Sequence, residues 1–539
     1  MQRESFLLIF VAKEVMMCKQ RYPIGIQTFS EIIEKGYNYV DKTGFIPSLI
    51  SHGKFIFLSR PRRFGKSLLI STLEAYFEGR RDLFKGLAID SMDVDWTPSP
   101  VLHFDFNSEN YTLEDGLFHI LNTQLSWHEE KYGCNKEATT LSQRFSHLIK
   151  AAYENTGRQV VILVDEYDKP LLAIEHKREL LEKNQAILKS FFGNLKSMDR
   201  YIRFAFITGV ARFSKVSIFS DLNNLDDISM DDSFADICGW TEEEVLETFR
   251  AGIEELAQKR KETFEDTLLN LRTYYDGYMF TSEGSRLYNP FSVLRALKAK
   301  KIYPFWFYTG SPYFLVRRIR SRGTFPADLN GQVCMEEDLL AVGLNDSNPV
   351  PLMFQTGYLT IASVDEMTGR VELRFPNREV EYGFYRQLLP SYVPETAEFD
   401  SPLYFNNFYD DLIDGRPDDF MNRLSTLLKN LPGEDHREST YRAVTYLLCV
   451  LCTPRTIAEH HSYKGRSDIE VITRDYIYIF EFKYNRSVEE AMTQIHSRDY
   501  AGRYAMDSRK VYLIGANFIE DKNDRGLYYE IEAIRKEME

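Results

Sequence analysis

Short apolar runs alternate with longer amphipathic segments over the first part of the chain. The runs are KFIFLS, VLHFDF, VVILVDE and YIRFAFITG, and each is rich in β-branched or aromatic residues. Such runs are typical of strands that are buried on both faces of a parallel sheet. Between the runs, apolar residues recur at helical spacing, as they do from Leu69 to Phe77. The alternation predicts an α/β domain with a parallel sheet over residues 20–233.

From Trp240 onward the pattern becomes helical. The segment TEEEVLETFRAGIEELAQKRKE opens with Thr241, a favourable N-cap, and with acids in the first turn. We predict a helical and mixed middle region over residues 234–392, followed by the proline-containing linker SYVPETAEFDSP. The last part, residues 400–539, follows the order helix, strands, helix, strand and is predicted to form a second, smaller α/β unit.

Composition and charge narrow the class of protein. The length of 539 residues suggests about three domains. The net charge of −14 argues against a protein that coats nucleic acid through bulk charge, so nucleic acid would contact local basic patches. The six cysteines are too sparse for a disulfide framework and fit a reducing compartment, so we expect a cytoplasmic protein. Because no apolar run is long enough to span a bilayer, no membrane partner is expected.

The stretch FIFLSRPRRFGKSLLISTL carries the first candidate site. A phosphate-binding loop (P-loop) needs backbone N–H groups around a phosphate, a lysine for the β- and γ-phosphates and a hydroxyl for Mg²⁺. Gly65, Lys66 and Ser67 supply these parts between a strand and a helix, although Arg60 stands where the general pattern has glycine. We therefore predict ATP and Mg²⁺ as cofactors. The predicted contacts of this loop are Arg62, Arg63, Phe64, Gly65, Lys66, Ser67 and Leu68.

Two acids at the end of another apolar strand strengthen the prediction of ATP binding. In VVILVDEYD, Asp165 is placed to hold Mg²⁺ through water and Glu166 to polarise the attacking water. Thr208, at the end of the next strand, is placed to sense the γ-phosphate. For Arg212 and Lys215, which follow, transition-state stabilisation and an ordinary surface position are equally open. The alternative for the acids is that they cap a strand and face solvent.

A second candidate site lies in GRSDIEVITRDYIYIFEFKYN near the C-terminus. Residues two apart in a strand share a face, so Glu481 and Lys483 project together. Asp468 lies near the start of the preceding strand, and a tight turn would bring it beside Glu481. Two carboxylates that hold Mg²⁺ beside a lysine suit phosphodiester hydrolysis, and Gln494 is placed to brace the lysine or a water. The alternative is a salt-bridged strand face without catalysis.

The chain resembles the bacterial AAA-ATPase-like family, which is related to archaeal-type and signal-transducing P-loop ATPases, in the segments YPIGIQTFSEIIEKGYNYVDKTGFI, RPRRFGKSLLISTL, VILVDEYDKPL, SIFSDLNNLDDIS and YNPFSVL. It resembles the PD-(D/E)XK nuclease domain, commonly fused to that family, in GRSDIEVITRDYIYIFEFKYNRSVEEAMTQI. The family's own loop has the sequence RPRRFGKS, so Arg60 departs only from the general pattern. The resemblance implies functional roles for Lys66, Ser67, Asp165, Glu166, Asp468, Glu481 and Lys483.

The predicted function is ATP binding and hydrolysis coupled to a Mg²⁺-dependent nuclease that acts on DNA or RNA. ATP would move the helical middle region and so gate the nuclease. One alternative is a P-loop signalling switch whose C-terminal domain binds nucleic acid or a partner without cleaving it. Another is a nucleotide-regulated scaffold that binds no nucleic acid. Nucleic acid is the predicted partner, and assembly into a homo-oligomer is left open.

Overall fold

The computed structural model describes most of the chain and divides into two compact units. The described residues are 20–134, 139–174, 177–213, 219, 224–309, 313–340, 342, 348–393, 402–431, 438–453, 455–462, 465–520 and 525–534. The first unit contains the described residues up to Trp306 together with Val333–Glu379. The second contains Phe307–Gln332 together with the described residues from Val380 onward. The division of the sequence into three domains stays a prediction.

A parallel five-stranded sheet forms the core of the first unit. Its strands are β1 (Phe55–Ser59), β2 (Val101–Asp105), β3 (Val160–Asp165), β4 (Ile202–Gly209) and β5 (Asp226–Asp227), in the spatial order β2-β3-β4-β1-β5. β1 to β4 arise from the four apolar runs, and all neighbouring pairs are parallel. The predicted α/β class is confirmed, and the carboxyl ends of these strands meet at one edge of the sheet.

Helices precede and separate these strands along the chain, and several of them contact the sheet through buried apolar residues. They are α1 (Phe29–Glu34), α2 (Phe45–His52), α3 (Lys66–Phe77), α4 (Gly116–Tyr132), α5 (Leu141–Thr156), α6 (Lys169–Leu172), α7 (Arg178–Phe192) and α8 (Asn194–Ser197). In the core, the ring of Phe104 on β2 lies edge-on to the rings of Phe145 on α5 and Phe191 on α7. α3 follows β1 directly, so the intervening loop lies at the carboxyl edge of the sheet.

The middle part of the chain is mainly helical, as predicted. Its helices are α9 (Glu242–Arg260), α10 (Phe264–Tyr275), α11 (Pro290–Ala299), α12 (Tyr313–Arg322), α13 (Glu336–Leu339), α14 (Val350–Gln355) and α15 (Arg378–Leu388). The strands β6 (Gln332–Met335), β7 (Thr360–Asp365) and β8 (Arg370–Arg374) form a small sheet in the order β6-β8-β7. Thr241 caps α9 as predicted, because its hydroxyl accepts the amide of Glu244 while the Glu244 carboxylate accepts that of Thr241.

A mixed five-stranded sheet forms the core of the second unit. Its strands are β9 (Thr456–Ser462), β10 (Gly465–Ile472), β11 (Tyr476–Tyr484), β12 (Lys510–Glu520) and β13 (Arg525–Ile534), in the order β13-β12-β11-β10-β9. β11 and β12 are parallel, and the other neighbours are antiparallel. The helices are α16 (Pro402–Ile413), α17 (Pro417–Lys429), α18 (Glu438–Cys452) and α19 (Val488–Ser497). A Cβ on Gly515 of β12 would lie 2.7 Å from Met492 Sδ, so α19 approaches the sheet closely.

The remaining helices are short and of the 3₁₀ type. In the described ranges they are Arg81–Phe84, Ala88–Ser91, Asp199–Tyr201, Asp232–Phe234, Trp306–Thr309, Pro326–Leu329, Leu389–Ser391 and Gly502–Tyr504. The described cysteines are free thiols. Within the described part of the chain, no helix combines the length and apolar character needed to cross a membrane.

Candidate functional site

In the loop between β1 and α3, backbone carbonyls accept hydrogen bonds from the side chain of Lys66. Gly65, the N-cap of α3, has left-handed backbone with φ of +95°, and a Cβ placed on it meets no atom within 4 Å. Lys66 is buried, and its Nζ donates to the carbonyls of Arg60 at 2.8 Å and of Pro61 at 3.0 Å. Amides at the start of a helix, an open glycine and a lysine suit a polyphosphate. The loop therefore fits the phosphates of ATP.

Arg60, which the general pattern does not explain, is buried and serves as a brace. Its guanidinium donates to four backbone carbonyls, those of Ser59, Ser229, Phe234 and Ala235. It also lies 4.4 Å from the ring of Phe280, and burial lowers the pKa of Arg60 to about 10. The guanidinium thus ties the entry of the loop to the chain that follows β5. Sequence alone left this role open, because three of the four partners lie far along the chain.

The other predicted loop residues occupy different environments. Arg62 and Arg63 are exposed, and the Arg63 guanidinium lies 4.9 Å from an aromatic ring of α11. Phe64 is buried against two further aromatic rings. Ser67 and Leu68 are half-buried in the first turn of α3. Phe64 therefore anchors the loop, whereas the two arginines face solvent.

The predicted acids lie at the end of β3, beside the end of β4. The Asp165 carboxylate is buried and accepts a hydrogen bond of 2.8 Å from the hydroxyl of Thr208, which is also buried. Glu166 has left-handed backbone with φ of +54°, a conformation that costs a non-glycine residue free energy and is often found at functional sites. Its carboxylate lies 4.0 Å from Lys169 Nζ. The structure thus brings Asp165 and Thr208 into direct contact.

Arg212 follows β4 and is turned toward an acid on β5. Its guanidinium pairs with Asp227, and its backbone amide donates to the side chain of Gln355 at 2.8 Å. Both members of the ion pair are about nine-tenths buried. A role toward ATP would require Arg212 to leave Asp227, and it stays a prediction. Lys215 lies outside the described residues.

Asp168 joins the two strand ends of the site, and sequence reasoning missed it. Its Oδ2 accepts the backbone amides of Val210 at 2.9 Å and Ala211 at 2.7 Å, and burial raises the pKa of Asp168 to about 6. A Cβ on Gly209 would lie 2.8 Å from the Asp168 carboxylate, so only glycine fits this approach. The available signal was an acid directly before the Lys-Pro that starts α6.

The buried Glu379 is hydrogen-bonded to Trp306, and each of these residues is the last one before the chain passes from the first unit to the second. Glu379 accepts the hydroxyl of Ser292 at 2.7 Å and the backbone amide of Trp306 at 2.9 Å. The indole nitrogen of Trp306 donates to the carbonyl of Arg62, in the P-loop, at 3.3 Å. Burial raises the pKa of Glu379 to about 8. The P-loop and the residues that flank two unit boundaries therefore belong to one hydrogen-bonded chain.

We expect the first unit to lose stability as the pH rises from about 4.5 to about 8, and Glu379→Gln to flatten that loss. In this window the folded chain keeps a proton on Glu379 that the unfolded chain has released. The stabilisation that depends on this proton is complete below about pH 4.5 and is lost above about pH 8. Between these values the free energy of unfolding falls by no more than about 1.4 kcal/mol per pH unit. Thermal unfolding of both proteins between about pH 5 and about pH 8.5 measures it. Parallel curves would contradict this assignment.

The second candidate site lies on β10, β11 and α19. Ile469 pairs with Phe480 in the antiparallel ladder, so Asp468 and Glu481 are the next residues along it. Asp468 Oδ2 accepts the backbone amide of Phe482 at 2.8 Å. The predicted juxtaposition of the two carboxylates is therefore present, and it follows from strand periodicity together with the short turn between the strands.

A lysine and a glutamine complete the second site. Lys483 Nζ donates to Glu481 Oε1 at 2.6 Å and to the side-chain oxygen of Gln494 at 2.8 Å. Gln494 in turn donates to the hydroxyl of Tyr500 at 3.1 Å. The lysine is thus fixed between a carboxylate and an amide, which is the bracing that its position in the sequence predicts.

The carboxylates of the second site fit a hard divalent cation. Glu481 Oε2 is buried and accepts no hydrogen bond from the described residues. Burial, and then the nearby Asp468, raise the pKa of Glu481 to about 7, although Lys483 opposes the shift. In the described part of the chain no group of three or more His, Cys, Asp or Glu is placed to hold a metal. Two carboxylates are nevertheless sufficient for Mg²⁺, which keeps several water ligands.

Comparison with known proteins assigns a family to each of the two parts of the chain that carry these residues. Residues 23–219 match the family described as Predicted AAA-ATPase, and residues 436–526 match the PD-(D/E)XK nuclease superfamily. The chain is also 34% identical over 518 residues to "Uncharacterized protein in vnfD 5'region" of Azotobacter chroococcum mcd 1, an alignment that covers 94% of this chain and 98% of that protein. Both resemblances that the sequence motifs indicated are confirmed.

Proposed function

This chain belongs to the AAA-ATPase-like family and carries a C-terminal domain of the PD-(D/E)XK nuclease superfamily, and we propose that it hydrolyses ATP and cleaves phosphodiester bonds in DNA or RNA. The observation that carries the proposal is the cluster of Asp468, Glu481 and Lys483 on two neighbouring strands. The cluster offers two carboxylates for a metal ion and a fixed cation beside them. The same chain holds a P-loop with its lysine in place.

At the first site, amides at the start of α3 and the Lys66 ammonium hold the phosphates of ATP. Lys66 exchanges its two loop carbonyls for phosphate oxygens. Ser67 and Asp165 would hold Mg²⁺, which when bound neutralises phosphate charge. Thr208 fixes the Asp165 carboxylate through its hydrogen bond, and Glu166 orients the attacking water. The position of these residues at the carboxyl edge of the sheet supports this division of roles.

At the second site, Asp468 and Glu481 would hold Mg²⁺, which when bound activates a water and stabilises charge on the phosphate. Lys483 fixes the orientation of Glu481 and places a positive charge beside the scissile phosphate. Gln494 prevents the lysine from turning away, because it accepts a second hydrogen bond from the same ammonium. The chain therefore supplies a rigid arrangement of charges in a half-buried position, where electrostatic interactions are stronger than in water.

The nucleotide state reaches the nuclease domain through Trp306 in this proposal. Trp306 and Glu379 each directly precede a point where the chain leaves the first unit, and a hydrogen bond joins them. The indole of Trp306 contacts the carbonyl of Arg62 in the P-loop. A phosphate that takes Lys66 away from the neighbouring loop carbonyls changes the loop that Trp306 contacts. ATP binding is thereby linked to Trp306 and Glu379, the two residues after which the chain passes into the second unit.

Trp306→Phe is expected to reduce the dependence of cleavage on ATP by about five-fold, the equivalent of one lost hydrogen bond of about 1 kcal/mol. The variant removes the indole N–H and keeps an aromatic ring against Tyr358. ATP hydrolysis should stay within about three-fold of wild type. The measurement compares cleavage rates with and without ATP. Trp127→Phe, at a 65% exposed tryptophan, is the matched control; equal ATP dependence in all three proteins would refute the route.

One observation favours the alternative of a switch that binds without cleaving. Arg442 on α18 pairs with Asp468 Oδ1 at 3.1 Å and so takes an oxygen that a metal ion needs. Incubation with Mg²⁺ or Mn²⁺, ATP and mixed DNA and RNA separates the candidates. Cleavage supports the nuclease, binding without cleavage under every condition supports the switch, and the absence of both supports a scaffold.

A further inference from the structure

The one cation of α18 is directed at the second site. The helix has the sequence ESTYRAVTYLLCVLC, in which Glu438 and Arg442 are the charged residues. Most of its other side chains are buried and apolar. The Arg442 side chain is itself only 19% exposed, and its guanidinium lies 5.1 Å from the ring of Phe325. A cation held this firmly in an apolar helix needs a partner, because its burial otherwise costs free energy.

Its partner is the first carboxylate of the site. Arg442 Nη2 lies 3.1 Å from Asp468 Oδ1, while Asp468 Oδ2 accepts the amide of Phe482. Both oxygens of Asp468 are therefore engaged in protein contacts. By contrast, Glu481 keeps one buried oxygen without a hydrogen bond from the described residues. Of the two carboxylates, Asp468 is therefore the one from which a metal ion has to displace a protein contact before it can bind.

The charges of the site balance in this arrangement. Two carboxylates, Asp468 and Glu481, face two cations, Lys483 and Arg442. Lys483 is held on Glu481 and by Gln494, so it stays in place. A divalent ion next to Asp468 would lie within a few ångströms of the Arg442 guanidinium, and like charges at that distance repel strongly in a half-buried position.

We propose that Arg442 guards the nuclease site by occupying the Asp468 oxygen that a divalent cation would take. Pairing with Arg442 and binding of metal at Asp468 exclude each other, so the guanidinium lowers the metal affinity of the resting protein. This inference rests on the proposed nuclease function and names how that site is regulated. Arg442 is a positioning residue here, since it acts on the reaction through Asp468.

Removal of the guanidinium is expected to tighten metal binding. Calorimetric titration of the full-length protein with Mn²⁺, without nucleic acid, compares wild type with Arg442→Gln. The binding step at this site is identified as the one that Glu481→Gln removes. We expect about five-fold tighter binding in Arg442→Gln, the equivalent of one released charge pair, and an affinity near wild type in Arg442→Lys. Arg486→Gln, at an exposed arginine of the same domain, should change nothing.

Chemical modification of the wild type tests the same competition without a substitution. Phenylglyoxal reacts with arginine side chains, and mass spectrometry assigns the modified positions. Mn²⁺ should increase the modification of Arg442, because its guanidinium is displaced from Asp468. Arg503, whose partner is the buried Glu470, is the internal control and should not respond. This arm remains decisive if Arg442→Gln fails to fold.

The outcomes separate the inference from the function on which it rests. Equal or weaker Mn²⁺ binding in Arg442→Gln, or unchanged modification of Arg442 in the presence of Mn²⁺, would show that the pair only supports the fold. The proposed metal site would then survive. If instead neither wild type nor Arg442→Gln shows a binding step that Glu481→Gln removes, the metal site itself is wrong, and the nuclease proposal fails with it.

Discussion

Lys66→Ala is expected to lower the rate of ATP hydrolysis by about 100-fold or more while the chain stays folded. In the proposed function the ammonium exchanges two loop carbonyls for phosphate oxygens, so its removal takes away positive charge where negative charge develops. The loop itself keeps the buried Arg60 and Phe64 as anchors. Phosphate release at saturating Mg²⁺ and ATP measures the effect, and circular dichroism checks the fold.

Lys35→Ala is the control for this experiment. Lys35 is an exposed lysine of the same unit whose partner is Glu31, one helical turn away. It should hydrolyse ATP at the wild-type rate. Wild-type turnover in Lys66→Ala would show that the loop between β1 and α3 is not the site of hydrolysis, whatever its resemblance to a P-loop.

Glu481→Gln is expected to lower nucleic-acid cleavage by about 1,000-fold, since the loss of a metal-binding carboxylate removes several kcal/mol of transition-state stabilisation. The amide keeps an oxygen that can accept from Lys483, so the local packing is retained. ATP hydrolysis should be unchanged, because the P-loop and its acids belong to the other unit. Cleavage of labelled DNA and RNA and phosphate release are measured on the same preparation.

Glu490→Gln provides the comparison for the second site. Glu490 lies on α19 in the same domain, is exposed and pairs with Arg486. Cleavage by this variant should match wild type. If Glu481→Gln lost cleavage and ATP hydrolysis together, the two activities would be more tightly coupled than proposed, and thermal unfolding would decide whether the variant is merely unstable.

The sequence was sufficient wherever local periodicity determines position. The strand before Lys66 and the strand that ends in Asp165 are continuous apolar runs, and parallel strands place their ends at one edge. Asp468 and Glu481 came together because a short turn joins their antiparallel strands, and Lys483 lies beside Glu481 because residues two apart share a strand face. These predictions needed no knowledge of distant neighbours, and the fold class follows from the same patterns.

Side chains whose partners are remote in sequence could not be assigned in this way. Arg60 donates to Ser229, 169 residues away, and Asp168 accepts from Val210, 42 residues away. Arg442 looks like an ordinary polar position of an amphipathic helix until β10 is placed beside it. Each of these contacts depends on how separate elements pack, which periodicity does not encode.

Arg212 is another side chain whose partner could not be predicted from periodicity. Its position after β4 left transition-state stabilisation and an ordinary surface position equally open, whereas its guanidinium is buried and pairs with Asp227 on β5. β5 contains only two residues and no apolar run, so periodicity does not predict an acid at this position in the sheet. The position along the chain was predicted, but the direction of the side chain was decided by a strand that the pattern does not reveal.

We propose that one chain carries an ATPase and a metal-dependent nuclease. The most direct test is to incubate the purified full-length protein with mixed DNA and RNA, Mg²⁺ or Mn²⁺, and ATP, with Glu481→Gln in parallel. We expect the wild type to cleave nucleic acid, chelation of the metal to abolish this cleavage, and the variant to lack it. Intact nucleic acid with wild type under every combination of metal and nucleotide, while a gel shift shows that binding persists, would contradict it.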